Sequence, residues 1–115
     1  MTIQEFIGAA DYLKEYGAKE IILCERGIKT FENSTRNTLD LAAIPIVHAE
    51  TDYKIIVDPS HGTGRRDLVI PMSKAAIAIG ADGLIVEATK NPDKALTDGF
   101  QTIDYDQLFE IKNLF

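Results

Sequence analysis

Apolar residues recur at helical spacing in the first segment of the chain, from Ile3 to Gly17, and predict a helix there. Thr2 precedes this segment and Glu5 stands three residues later, which is the pattern of a capping box. A short continuous apolar run, Ile21 to Cys24, follows and is typical of a strand that is buried on both faces. The first unit is therefore predicted to be a helix followed by a strand.

The same plan recurs further along the chain. Apolar residues from Leu39 to Val47 predict a second helix, in which Pro45 fits the first turn. The run Lys54 to Val57 predicts a second strand, and the loop after it is rich in glycine. The next helix is predicted to open at Pro71 and to stop at Gly80, a residue type that favours helix ends.

A third unit completes the pattern, with a strand predicted from Gly83 to Val86 and a last helix from Asp104 to Leu114. The three predicted strands begin about 30 residues apart with a helix between each pair, which is the spacing of a parallel α/β sheet. Such a sheet fits a doubly wound fold or part of a TIM (β/α)8 barrel, and a whole barrel needs roughly 250 residues. The 115 residues of this chain would supply about half of one.

Charge and composition narrow the classes of function. The net charge of −6 disfavours a nucleic-acid partner, because proteins that bind the phosphate backbone usually present a basic face. Every apolar run is far shorter than the ~20 residues that a membrane helix needs, so we expect a cytoplasmic protein without membrane contact. Cys24 is the only cysteine, which excludes an internal disulfide, and its apolar neighbours favour a small buried hydrophobe over a reactive thiol.

All the arginines lie in two loops that directly follow predicted strands. Arg26 and Arg36 come after the first strand, and Arg65 and Arg66 after the second. Guanidinium groups match phosphate and carboxylate geometry in a bidentate way, so this clustering favours a small anionic ligand. The glycines from Gly62 to Gly64 lack the full spacing of a P-loop or a dinucleotide motif, which argues against a nucleotide site.

Candidate metal ligands follow the second and third strands. His61 lies in the loop after the second strand, and Glu87 ends the third. Neighbouring strands lie about 4.8 Å apart, so side chains from their carboxyl ends can converge on one ion, and an imidazole with carboxylates suits divalent manganese, iron or zinc. Each residue also has an ordinary interpretation: His61 as a turn residue, Glu87 in an ion pair, and Asp98 as a turn residue before Gly99.

Five groups of residues carry a family signature. They are ILCERG at 22–27, TRNTLDL at 35–41, VDPSH at 57–61 with GRRD at 64–67, GLIVE at 83–87, and PDKAL with DG at 92–96 and 98–99. In their order and spacing, over essentially the whole chain, they resemble the single-barrel type Iβ family of 3-deoxy-D-arabino-heptulosonate 7-phosphate (DAHP) synthase. The resemblance implies that residues 1–115 are the C-terminal half of a DAHP synthase (β/α)8 barrel.

The resemblance also implies a reaction, the condensation of phosphoenolpyruvate with erythrose 4-phosphate to DAHP and inorganic phosphate. This step opens the shikimate pathway to the aromatic amino acids. By the same resemblance His61, Glu87 and Asp98 would be catalytic as the ligands of a divalent metal ion that polarises the aldehyde. Arg26 would hold the phosphate of phosphoenolpyruvate. No individual role follows for the other three arginines.

The chain departs from the family pattern in two respects. The family's metal-binding cysteine follows the first strand of the barrel, in the half that is not present, and Cys24 cannot be assumed to replace it. The family also commonly has a histidine two residues after its ligand glutamate, where this chain has Thr89. We therefore expect the isolated chain to be inactive or nearly so. Because half a barrel leaves sheet edges and an inner face uncovered, we expect a homo-oligomer or a pairing with a missing N-terminal half-barrel.

Two alternatives to DAHP synthesis stay open. The octulosonate phosphate synthase shares the barrel, the Glu-Arg-Gly segment and the ligand pattern, although the run from Thr35 to Leu41 and the triplet from Arg65 to Asp67 favour the heptulosonate enzyme. The second alternative is a non-catalytic half-barrel that binds a metal ion or phosphate.

Overall fold

Three short parallel strands form the centre of the molecule. The structure is a computed structural model that describes residues 1–115. The strands lie side by side in chain order, with Leu23 beside Ile55 and Val57 beside Leu84. They are β1 (Ile22–Glu25), β2 (Lys54–Val57) and β3 (Gly83–Leu84). The parallel α/β architecture predicted from the sequence is confirmed.

Helices connect the strands and cover one face of the sheet. They are α1 (Ile3–Glu15), α2 (Ala43–Glu50), α3 (Pro59–Thr63), α4 (Arg66–Ala78) and α5 (Tyr105–Lys112), with a single 3-10 turn at Pro92–Lys94. None of these helices is both long and apolar enough to cross a bilayer.

Capping boxes fix the starts of the first and last helices. The hydroxyl of Thr2 accepts a 3.1 Å hydrogen bond from the backbone N–H of Glu5, whose carboxylate accepts one of 2.7 Å from the backbone of Thr2. Asp104 and Gln107 make the same reciprocal pair at α5. Each pair satisfies two N–H groups that the first turn leaves without a helical partner. The predicted starts of these two helices are confirmed.

Pro71 lies inside α4, so the prediction that it opens this helix is wrong. The helix begins at Arg66, and the proline costs one hydrogen bond, the one that residue 71 would donate to the carbonyl of Asp67. Burial of Val69 and Ala76 on the packed side of the helix offsets this loss. The polar residues Arg65 to Asp67 hid the start of this helix from the apolar pattern.

The second helix and the third strand are shorter than the pattern predicts. α2 begins at Ala43, because Leu39 lies in the preceding loop and packs against the core and against Gly62. In β3 only Gly83–Leu84 pairs regularly, and Ile85 still donates to the carbonyl of Val57. Pairing stops there because β2 ends at Val57 and α3 begins at Pro59. Beyond Ile85 the chain therefore has no strand of β2 beside it with which to pair.

The main core lies between the sheet and the helices. Ile55 and Val57 of β2 are fully buried, together with Ile44 and Val47 of α2. A smaller cluster of Val69, Ile103 and Ile111 lies where α4 meets α5.

The opposite face of the sheet is uncovered. Ile22 on β1 and Ile85 after β3 are 60% and 52% exposed, whereas their neighbours Leu23 and Leu84 pack into the helix-covered side. Successive side chains of a strand point to opposite faces of the sheet, so the exposed Ile22 and Ile85 lie on the uncovered face. The expectation that the first strand is buried on both faces is therefore wrong for this chain.

Candidate metal centre

The carboxylate of Asp58 orients the ring of His61 at the end of β2. Its Oδ1 accepts a 2.9 Å hydrogen bond from the backbone N–H of His61, which caps α3. Its Oδ2 lies 2.7 Å from Nδ1 of the same ring. Because an ionised carboxylate only accepts hydrogen bonds, Nδ1 carries a proton and donates it. The other nitrogen, Nε2, is then the atom that faces outward.

Glu87 faces this outward nitrogen from the segment that follows β3. Its Oε1 lies 3.1 Å from Nε2 of His61, and its backbone N–H donates a 3.0 Å hydrogen bond to the buried hydroxyl of Ser60. A neutral imidazole would place the lone pair of Nε2 against the carboxylate oxygen. This arrangement is stabilised only when a proton or a metal ion lies between the two atoms.

Asp98 reaches the same place on a loop rather than a strand. The loop is closed by an isolated parallel bridge between Ala88 and Ile103. Asp98 has a φ of 53°, which is uncommon for a residue with a side chain, and its carbonyl accepts hydrogen bonds from the backbone N–H groups of Gln101 and Thr102. These contacts fix a tight turn, and this turn directs Asp98 towards the carboxyl ends of the strands.

The three candidate ligands form one cluster. His61, Glu87 and Asp98 each offer a ligand atom, and these atoms all lie within 4.8 Å of one another. Ligands held about 2.1 Å from one ion at right angles lie about 3 Å apart, which matches the His61–Glu87 pair. One imidazole and two carboxylates are the donors that manganese, iron and zinc accept. The donor set fits such an ion, and the assignment of these residues as ligands stays a prediction.

A polar cleft lies directly beside the cluster. Its volume is about 180 Å³, and no apolar residue lines it. The lining residues are Arg26, Gly27, Arg36, Asn37 and His61. The Arg26 side chain is 62% exposed, with Nε 3.6 Å from Oδ2 of Asp58. Two guanidinium groups beside a candidate metal ligand give the cleft the chemistry of an anion site.

The other two arginines are held in ion pairs. Arg65 makes a bidentate pair with Asp67 at 3.0 and 2.7 Å. Arg66 lies 3.2 Å from a carboxylate oxygen of Asp93 and donates to the carbonyls of Thr102 and Gly99. The arginines after β1 therefore line the cleft, whereas the arginines after β2 hold neighbouring segments of the chain together.

Glu25 is a buried carboxylate that holds the Arg26 loop. Its Oε1 accepts a 2.7 Å hydrogen bond from the backbone N–H of Gly27 and a longer one, 3.5 Å, from that of Asp40. Burial raises the pKa of Glu25, and the two backbone hydrogen bonds oppose that rise. Gly27 has a φ of 96°, and a Cβ on it would lie 2.6 Å from Cβ of Asn37. The backbone after Arg26 is therefore tightly constrained.

Cys24 lies half-buried on the same strand. Burial, followed by the nearby carboxylates of Asp58 and Glu25, raises the pKa of the Cys24 thiol. A raised thiol pKa keeps the sulfur protonated and weakly nucleophilic, in agreement with the expectation of an unreactive side chain.

Sequence reasoning placed Glu25 and Asp58 at strand ends but gave them no role, and it missed Gln101. Asp58 carried a readable signal, since Asp followed by Pro at the start of a helix is a capping pattern. Gln101 carried none, because its side-chain partners Arg36 and Glu87 are 65 and 14 residues away in sequence.

Comparison with known proteins decides the family. A model described as the DAHP synthetase I family matches residues 1–115. The chain belongs to this family. A phospho-2-dehydro-3-deoxyheptonate aldolase of Thermotoga maritima is 56% identical over 110 residues, which are 96% of this chain and 32% of that protein. A 2-dehydro-3-deoxyphosphooctonate aldolase of Desulfosudis oleivorans is 36% identical over 103 residues, 80% of this chain and 36% of that protein.

Solved structures agree with this assignment. The crystal structure of the Thermotoga maritima DAHP synthase superposes with a TM-score of 0.96 at 54% identity, over 99% of this chain and 34% of that one. A truncated form of 3-deoxy-D-arabino-heptulosonate 7-phosphate synthase from Thermotoga maritima gives 0.93, over 45% of its chain. The sheet and helices described above are thus part of the DAHP synthase barrel. The chain spans about a third of the length of the curated relatives it matches.

Proposed function

We propose that residues 1–115 are the C-terminal half of a DAHP synthase barrel. In this proposal the chain supplies the metal centre and the phosphate-binding cleft for the condensation of phosphoenolpyruvate with erythrose 4-phosphate. The observation that carries the proposal is the 3.1 Å approach of Nε2 of His61 to Oε1 of Glu87, beside a cleft with two arginines. Membership of the DAHP synthetase I family supplies the reaction class.

His61, Glu87 and Asp98 would hold the divalent ion, whether manganese, iron or zinc. When bound, such an ion supplies a Lewis acid that polarises the aldehyde carbonyl of the second substrate. The protein's own part is to orient the ring of His61, because the hydrogen bond from Nδ1 to Asp58 leaves Nε2 aimed at the site.

Arg26 would bind the phosphate of phosphoenolpyruvate in the polar cleft. Its guanidinium is largely exposed to the cleft, and Glu25 and Gly27 fix the backbone on either side of it. A preformed loop loses little conformational entropy when an anion binds. The same cleft touches His61, which would place the phosphate next to the metal ion.

Erythrose 4-phosphate is the proposed second substrate rather than arabinose 5-phosphate. The curated heptulosonate relative is 56% identical to this chain, whereas octulosonate relatives from Desulfosudis and Aliivibrio are 36% and 37% identical. Product formation from each of the two sugars, by the chain assembled into a whole barrel, separates the two activities. A preference for arabinose 5-phosphate would overturn this choice.

The rest of the barrel would cover the exposed sheet face. Ile22 and Ile85 lie on this face, and β1 and β3 each pair on one edge only. We therefore propose that the chain pairs with an N-terminal half-barrel or with a second copy of itself. The proposed cytoplasmic location rests on the same family of biosynthetic enzymes.

Titration with manganese tests the metal centre. The wild-type chain is expected to bind one equivalent of manganese, measured by electron paramagnetic resonance of the free ion, and His61→Ala and Glu87→Ala are expected to bind at least tenfold more weakly. His48→Ala is the matched control, since His48 pairs with Asp82 at the other end of β2. Equal affinity in all four proteins would contradict the proposal.

A non-catalytic role remains a second candidate, because the chain spans about a third of its relatives. Release of inorganic phosphate from both substrates distinguishes the two roles. We expect the chain alone to bind manganese and phosphate but to release almost no phosphate from the substrates. Robust release by the chain alone would show that these residues suffice for catalysis.

A further inference from the structure

Gln101 is a fully buried side chain that lies between the candidate ligands and the anion cleft. Its Nε2 donates a 2.8 Å hydrogen bond to Oε2 of Glu87. Its Oε1 accepts a 3.3 Å hydrogen bond from Nη1 of Arg36. One carboxamide therefore joins a residue of the proposed metal centre to a residue of the proposed phosphate cleft.

The chemistry of the two partners fixes the orientation of the amide. A carboxylate can only accept hydrogen bonds and a guanidinium can only donate them, so the amide nitrogen must face Glu87 and the amide oxygen must face Arg36. The dipole of the amide is then aligned between a negative and a positive group, which strengthens both contacts because the side chain is fully buried. A flipped amide would oppose both charges.

The backbone of the same residue contacts a second candidate ligand. The N–H of Gln101 donates a 3.1 Å hydrogen bond to the carbonyl of Asp98, inside the turn where Asp98 has a positive φ. Gln101 thus touches Glu87 through its side chain and Asp98 through its main chain. A shift of this one residue would move two of the three candidate ligands.

We propose that Gln101 is a positioning residue that holds the Glu87 carboxylate for the metal ion and the Arg36 guanidinium for the anion. It occupies Oε2 of Glu87, so that Oε1 is left to face Nε2 of His61 at 3.1 Å. The metal subsite and the anion subsite are then assembled as one unit. This inference rests on the proposed metal centre, and it adds a residue that contacts neither substrate nor ion.

Gln101→Met tests the inference, because methionine has a similar volume and no hydrogen-bonding amide. The manganese affinity of the variant is expected to fall about ten- to hundredfold, as for other residues that orient metal ligands. The affinity of the metal-free chain for inorganic phosphate is expected to fall severalfold, because Arg36 loses its anchor. The visible spectrum of the cobalt-saturated variant is expected to differ in intensity, since a freed carboxylate changes the coordination of the ion.

Ser73→Ala is the matched control for the loss of a buried hydrogen bond. The Ser73 hydroxyl is equally buried and bonds only to the carbonyl of Val69 within α4. This variant is expected to keep wild-type manganese affinity, phosphate affinity and cobalt spectrum. Suppose that Ser73→Ala changed both affinities and the cobalt spectrum as much as Gln101→Met does. The cause would then be a general loss of packing, and the inference would be overturned.

Gln101→Asn decides the matter if the methionine variant does not fold. The shorter amide keeps a polar group in the buried site but cannot span both partners, so its manganese affinity is expected to fall severalfold below that of the wild type. Wild-type affinity and spectrum in the folded variants, with binding still lost in His61→Ala, would overturn the inference alone. Failure of the wild type to bind manganese would overturn both the metal centre and this inference, and unchanged phosphate affinity would overturn the link to Arg36.

Discussion

Asp58 binds His61 twice, through a 2.9 Å hydrogen bond to the backbone and a 2.7 Å contact to Nδ1 of the ring. One carboxylate therefore starts a helix and selects the ring tautomer. The two tasks can be separated by substitution, because an amide oxygen can still cap a helix whereas an amide nitrogen cannot accept a proton from Nδ1.

Asp58→Asn is expected to lower manganese affinity about ten- to hundredfold while the protein stays folded. The new amide nitrogen donates to Nδ1, which moves the ring proton to Nε2 and blocks the proposed ligand atom. Asp104→Asn makes the same change at the capping residue of α5 and is expected to leave manganese affinity unchanged. Electron paramagnetic resonance measures both, and equal affinities would contradict the role of Asp58.

Gly27→Ala is expected to destabilise the chain more than Gly17→Ala does. Both glycines have a φ near 97°, at 96° and 98°, but only at Gly27 would a Cβ meet another residue. The left-handed backbone alone costs about 1 kcal/mol for alanine, and overpacking against Asn37 adds about 1–3 kcal/mol. Urea denaturation gives both values. Equal losses of unfolding free energy would show that the loop around Arg26 can move to accommodate the added methyl group.

Ile85→Glu is expected to weaken the self-association of the chain. Ile85 is 52% exposed on the uncovered sheet face, and a charge there opposes burial against another apolar surface. Tyr16→Glu is the control, because Tyr16 is 73% exposed at the far end of α1, away from this face. Sedimentation velocity over a range of concentrations measures association. A compact wild-type monomer at every concentration would refute the prediction.

Ionisation of Asp82 is expected to make the free energy of unfolding depend on pH in the acid range. The backbone N–H of Ile55, followed by His48, lowers the pKa of Asp82 below its ordinary value of 3.8. Its charged form therefore stabilises the fold at pH values above 3.8, and this contribution is lost as the pH falls from there through the lower pKa of the folded state.

Asp82→Asn is accordingly expected to be less stable than the wild type at pH 7, and the difference should shrink below about pH 4. Asp52→Asn, at an exposed position just before β2, is the control and should leave the curve unchanged. Urea denaturation at a series of pH values measures the difference. A gap between Asp82→Asn and wild type that stays constant with pH would disprove the assignment.

The strands, and the candidate ligands near their carboxyl ends, could be predicted because each depends on a short local stretch of sequence. Lys54 to Val57 is an apolar run of the right length, and the structure has β2 at those residues. Glu87 and His61 lie three and four residues beyond the ends of β3 and β2, so parallel geometry brings them to one edge of the sheet. Asp98 could be included only through the family pattern, since its position depends on a closed loop.

What could not be predicted depends on contacts that are distant in sequence. Leu39 looks helical in pattern but leaves the helix because its side chain packs against Gly62. Gln101 is polar and follows a turn, which predicts exposure, yet it is fully buried between Arg36 and Glu87. In both cases tertiary packing overrides the local preference.

The bridge between Ala88 and Ile103 gives the Asp98 loop two fixed ends. The entropy of closing such a loop grows slowly with its length, by about 0.6 kcal/mol for each doubling. Leu96 near its tip is fully exposed, so its side chain can change at small energetic cost while the anchored end keeps Asp98 in place. The surroundings of the candidate metal centre can therefore be altered at this loop without rebuilding the sheet beneath it.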